Sequence, residues 1–207
     1  LLFLVMGSGY FAWTNLYTSL YLLLPATILS LVFMLLIIFN KKMISYLAPL
    51  YAICQGITMG MFSYYFNTLY EGIAITAISY TFCILFGLLS IYRLGLIKAT
   101  ENFKLGVGAA TSGIFMLYVI NFIMSFFGTS IPLMDITNSS MASIGFSVFV
   151  IIIAAMNLVV DFDFIEEGAE KGAPKYMEWY GAFGLMVTLI WLYLEILKLL
   201  AKMNSRK

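Results

Sequence analysis

The chain has 207 residues, of which 63% are hydrophobic and only 10% charged, with a formal net charge of +1 and a mean hydropathy of +1.00. A soluble domain carries about 25% charged residues, so this chain could not cover a water-facing surface, and its apolar side chains must face lipid as well as core. The near-neutral balance gives no basic surface for nucleic acid, and no nucleic-acid partner is expected.

The apolar residues fall into long runs. A transmembrane helix takes roughly 20 residues, so seven crossings would use about 140 and leave only short connections. The first run, residues 1–13, is too short to span alone. It reads as a first helix whose beginning is missing, with a signal-peptide remnant as the alternative. The second, residues 17–39, is free of charge and ends at Asn40-Lys41-Lys42. The third covers residues 44–66 and the fourth opens at Glu71 and continues to Tyr92. A connection with Arg93, Lys98, Glu101 and Lys104 leads to the fifth, residues 105–127, and a polar stretch with Pro132, Asp135 and Asn138 follows. The sixth covers residues 141–160, residues 161–178 form the longest polar segment, and a final run occupies residues 179–201.

Uniformly apolar runs of this length exclude barrel strands, which alternate over about ten residues. The expected fold is an all-α integral membrane protein, a seven-helix bundle forming a single domain over residues 1–207. Pro25 and Pro49 are placed near helix ends, where proline is tolerated. Cys54 and Cys83 lie inside apolar segments and read as small hydrophobes rather than a disulfide pair.

Lys and Arg in short loops set orientation. Lys41, Lys42, Arg93, Lys98 and Lys104 fall on one side if every run spans once, which makes that side and the N-terminus cytoplasmic. Seven crossings then leave Lys202, Arg206 and Lys207 outside, against the rule; a re-entrant last segment would bring them back.

Ionisable residues inside a membrane are costly and mark functional positions. Asp161 and Asp163 close the sixth run, about 200° apart around a helix, so one is expected to face the bundle and the other water. A solvated acidic helix end is the plain alternative, although negative charge at a helix C-terminus is mildly unfavourable. Glu195 lies within the last run, with Lys198 three residues on. A local ion pair with a snorkelling lysine competes there with an inward carboxylate that meets another helix. Two carboxylates in contact would share a proton and form a pH-dependent cation gate. Gln55 accompanies Gly56 and Gly60, a small-residue face suited to close helix approach, and could alternatively line a pore.

The chain has no histidine, which removes His-based zinc sites and Ser-His proteolysis. It also lacks a Gly-Asp dipeptide and any phosphate-binding glycine loop. No enzymatic activity and no cofactor are expected.

The segments Asp161-Phe-Asp-Phe-Ile-Glu166, Gly172-Ala-Pro-Lys-Tyr-Met-Glu-Trp-Tyr180 and Leu185-Met-Val-Thr-Leu-Ile-Trp-Leu-Tyr-Leu-Glu195 resemble a bacterial branch of the Bax inhibitor-1, or transmembrane Bax inhibitor motif, family. Leu47-Ala-Pro-Leu-Tyr-Ala52, Gln55-Gly56 and Thr111-Ser-Gly-Ile114 fit the same branch. The resemblance implies six helices around a central seventh, residence in a bacterial cytoplasmic membrane, and pH-sensitive calcium leak or inhibition of cell death. Some bacterial relatives modulate a membrane-anchored protease, which makes a non-conducting regulator of other membrane proteins the alternative. A secondary transporter is a third reading, without the paired mid-span Gly/Pro breaks usual for one.

In the channel members an aspartate ending the sixth helix pairs with an aspartate in the seventh. Asp161 matches the first. Glu195 matches the second in one alignment; in the other, Thr188 stands there and Glu178 is the nearest acidic substitute. The branch has glutamate where this chain has Gln55. The partners implied are the bilayer, calcium and other membrane proteins.

Overall fold

The computed structural model describes residues 1–136 and 138–206. Among these residues the regular elements are helices, without strands: α1 Leu2–Thr14, α2 Leu16–Phe39, a 3-10 turn Lys41–Met43, α3 Ile44–Leu69, α4 Ile73–Arg93, α5 Glu101–Phe126, α6 Met141–Glu170 and α7 Tyr176–Asn204. Five of them, α2, α4, α5, α6 and α7, are long and apolar enough to cross a membrane. α1 is apolar but has 13 residues. α3 is long enough, at 26 residues, but its tyrosines, Gln55, Asn67 and hydroxyl residues dilute its hydropathy.

Large apolar side chains point outward along these helices, among them Leu24, Ile75, Leu105 and Phe126, while Ser19, Ser30, Thr58, Ser147, Glu195 and Lys202 are buried. The core itself is mostly hydrophobic, with Ile37, Leu158 and Leu197 fully buried, so apolar side chains stand on both the inside and the outside, which suits a lipid solvent. Hydroxyls that no water could satisfy turn back on their own helices. Ser63, Ser79, Thr81, Ser90 and Ser112 each donate to the carbonyl four residues earlier, at 2.6–2.8 Å. Cys54 and Cys83 are free thiols.

The chain divides into two compact units. The first comprises Leu1–Ala74 and Phe164–Met186. In it α1 lies against α3 through the expected small-residue face. A Cβ on Gly60 would meet Gly9 Cα at 2.9 Å, and one on Gly56 would fall on Val5 and the Ser8 hydroxyl. Only glycine permits that approach. Trp13 meets Tyr64 edge-on at 5.8 Å, and the hydroxyls of Thr27 and Thr58 join α2 to α3 at 3.3 Å.

The second unit comprises Ile75–Asp163 with α7 from Val187 onward. α5 begins earlier than its apolar run, because Thr100 caps it: the Phe103 N–H donates to the Thr100 hydroxyl at 3.3 Å.

Two expectations need correction. α6 does not stop near residue 160 but continues to Glu170, so Asp161 and Asp163 lie inside a helix rather than at its end. The polar residues that follow are good helix formers, and a Glu167–Lys171 pair one turn apart supports them. The helix stops where Gly172 takes φ +61°; the N–H groups of Gly172 and Ala173 then reach back to the carbonyls of Ala169 and Gly168. Hydropathy marks where lipid contact ends, not where a helix ends. Secondly, Pro25 lies inside α2 rather than near its end, which a membrane helix tolerates. α7 is one unbroken helix of 29 residues, about 43 Å long at 1.5 Å per residue.

Candidate functional site

The second unit gathers polar side chains along one seam between α5, α6 and α7. On α7 they are Thr188, Trp191, Glu195, Lys198 and Lys202, in alternating steps of three and four that keep them on one face. Facing positions are Ser143, Ser147, Asn157 and Asp161 on α6, and Lys104, Thr111 and Tyr118 on α5.

At one end Lys104 Nζ lies 2.6 Å from Asp163 Oδ2 and 3.5 Å from Glu101 Oε1. Asp163, one of the two candidates for the water-facing position, is thus engaged by α5. Asp161 is the inward member of the pair. Its side-chain partner is the Thr188 hydroxyl, while its Oδ2 is buried without a hydrogen bond. One α6 turn below, Asn157 Nδ2 donates to Thr111 Oγ1 at 2.7 Å and to the Ile153 carbonyl at 2.9 Å.

An apolar layer then interrupts the seam. Ile114, Val150 and Ile153 form it, with Ala110, Phe146, Trp191 and the Tyr118 ring packed against it. Ile114 falls between Thr111 and Tyr118 on α5, Val150 and Ile153 between Ser147 and Asn157 on α6, and Trp191 between Thr188 and Glu195 on α7.

Beyond the layer Glu195 is 3% exposed. The Tyr118 hydroxyl donates to its Oε1 at 2.6 Å and Lys198 Nζ at 2.9 Å. The same ammonium lies 5.0 Å from the centroid of the Tyr118 ring. Both readings of Glu195 therefore hold together, a local pair with Lys198 and an inward carboxylate met by another helix. Lys202, 2% exposed, donates to the Leu133 carbonyl at 2.9 Å, the Ser147 hydroxyl at 3.0 Å and the Ser143 carbonyl at 3.4 Å. All three of its protons find an oxygen, the condition for burying an ammonium. Tyr118, Met134, Phe146, Ser147, Glu195 and Lys202 are among the residues lining a small, partly open recess here.

The structure thus brings Asp161 to Thr188 and gives Glu195 other partners, seven residues or about 10 Å further along α7. Glu178 is exposed in the first turn of α7, in the first unit, and Gln55 is half-buried in α3 of that same unit. Among the described residues no group of three or more Cys, Asp or Glu side chains is placed to hold a metal ion.

Sequence reasoning missed Tyr118, Asn157 and Lys202. The three-four spacing of polar residues on α7 was the available signal for Lys202, which the loop-charge rule had counted as external. It is an interior group, so its place at the end of α7 is no ordinary loop charge. Lys207 lies outside the described residues.

An apolar exterior, hydroxyls bonded back to their own helices and five long apolar helices define a polytopic helical membrane protein. A family model described as Bax inhibitor 1 like matches residues 1–205, and the chain belongs to that family. No curated protein and no solved structure matches it.

Proposed function

We propose that this protein is a passive cation leak, with calcium among the ions it passes and the Asp161 carboxylate on the ion path. The observation that carries this reading is the buried Asp161, whose Oδ2 has no donor although Lys104 engages Asp163 two residues away. An intramembrane carboxylate without a fixed counter-ion attracts a mobile one. Thr188 supplies a neutral oxygen rather than a competing charge. The apolar layer of Ile114, Val150 and Ile153 acts as the closed constriction, which would open by wetting. In this reading protonation of Asp161 abolishes its attraction and makes the leak pH-sensitive. No catalytic step and no cofactor enter it. The setting proposed is a bacterial cytoplasmic membrane with the N-terminus inside, on the strength of the family resemblance and the basic residues from Lys41 to Lys104.

The test is calcium flux into proteoliposomes. Asp161→Asn is expected to lower it by about tenfold, as for a barrier raised by ~1.4 kcal/mol. Equal flux in wild type and Asp161→Asn would refute the assignment.

The second reading is a non-conducting regulator of another membrane protein. It is favoured by the charged α6 extension, which carries Glu166, Glu167 and Glu170 beyond the apolar stretch. Co-purification of a defined partner, lost on replacing residues 164–171, would support it over the leak.

A further inference from the structure

Two carboxylates lie on the seam of the second unit and they are treated oppositely. Asp161 has a buried Oδ2 without a hydrogen bond. Glu195, on the far side of the apolar layer, holds a cation supplied by the chain itself. The Lys198 ammonium is bonded to Oε1 at 2.9 Å and faces the Tyr118 ring at 5.0 Å, and the Tyr118 hydroxyl completes the seat at 2.6 Å from the same oxygen. A carboxylate oxygen, a phenol and an aromatic face are the groups that receive a small monovalent cation.

The neighbouring lysine shows which of the two ammonium groups can leave. Lys202 has all its protons committed to Leu133, Ser143 and Ser147, and it is 2% exposed. Removing it would strip the connection before α6 of its anchor. Lys198 donates to Glu195 Oε1, and its side chain is 29% exposed against 4% for that of Glu195. It can swing away from the carboxylate without opening the helix packing.

We infer that Glu195 and Tyr118 form a second cation seat, for a small monovalent cation, which Lys198 occupies as a tethered plug at the end of the path opposite Asp161. The seat rests on the geometry; its role as a plug rests on the leak reading proposed above. A tethered group acts at an effective concentration in the millimolar range, so a free amine at about 100 mM can replace it.

The experiment uses the full chain, purified in detergent and reconstituted. Lys198→Ala is expected to lower the thermal midpoint, and ~100 mM methylammonium chloride to restore it, whereas choline chloride at equal ionic strength does not. Lys198→Ala/Glu195→Gln is expected to show no such restoration. In proteoliposomes Lys198→Ala is expected to raise potassium efflux by about tenfold, and Lys198→Arg to leave it near wild type. If Lys198→Ala does not fold, Lys198→Gln keeps one N–H for the carboxylate and the same readouts decide. Restoration equal in methylammonium and choline, or surviving Glu195→Gln, overturns the seat. If flux still depends on Asp161 in that case, the leak reading stands without it. Specific restoration with unchanged efflux supports the seat and overturns the plug.

Discussion

Replacing Tyr118 by phenylalanine removes one hydroxyl and leaves the ring, so both the packing against the Ile114, Val150 and Ile153 layer and the aromatic face under Lys198 are kept. What is lost is the 2.6 Å bond to Glu195 Oε1. Hydrogen bonds to charged groups contribute ~1.5–3 kcal/mol, and here two facts place the value in the upper half. The bond is short, as charge-assisted bonds are. Glu195 is 3% exposed, so water has little access to replace the lost donor. The expected loss is therefore ~2–3 kcal/mol, which for a chain of this size lowers the thermal midpoint by roughly 5–10 °C.

A double-mutant cycle with Glu195→Gln isolates the interaction. With a neutral amide opposite, the tyrosine hydroxyl is worth only ~0.5–1.5 kcal/mol, so a coupling of about 1–2 kcal/mol is expected. Reversible unfolding in mixed micelles, followed by circular dichroism, measures all four corners. A coupling below ~0.5 kcal/mol, the level at which independent sites already scatter, would refute the claim that Tyr118 holds a charged Glu195.

Two further perturbations address other parts of the fold. Gly60→Leu drives a side chain into the backbone of Gly9, where neither helix can yield by a rotamer change. It is expected to cost ~3 kcal/mol or more and to make α1 susceptible to protease; an unchanged midpoint would refute the α1–α3 contact. Thr188→Asp sets a second carboxylate against Asp161 and creates the shared-proton pair that the sequence first suggested. Its calcium flux is expected to vary more steeply with pH than that of wild type, and superimposable pH profiles would show that residue 188 does not face Asp161.

Much of the architecture was legible from residue types alone. Lipid selects uniformly apolar runs, and those over residues 17–39, 71–92 and 179–201 report α2, α4 and α7 to within three residues at each end. The Gly56/Gly60 face was legible for the same reason, since small residues spaced by four have few other uses in a membrane. Glu195 with Lys198 could be read as a pair because both lie on one helix. The end of α6 could not, because Asp161 to Glu170 is polar enough for a loop and yet favourable enough for a helix.

Sequence by itself determined a helical membrane protein with its few charges concentrated toward the last two helices. Only the tertiary structure decided which of those charges meet. It set Asp161 against Thr188 rather than a second acid, gave Asp163 to Lys104, and turned Lys202 inward onto Leu133 and Ser147. The physical reason is that hydropathy and helical period act along one chain segment. The register of one helix against another depends on side-chain packing between positions as distant in sequence as Tyr118 and Glu195.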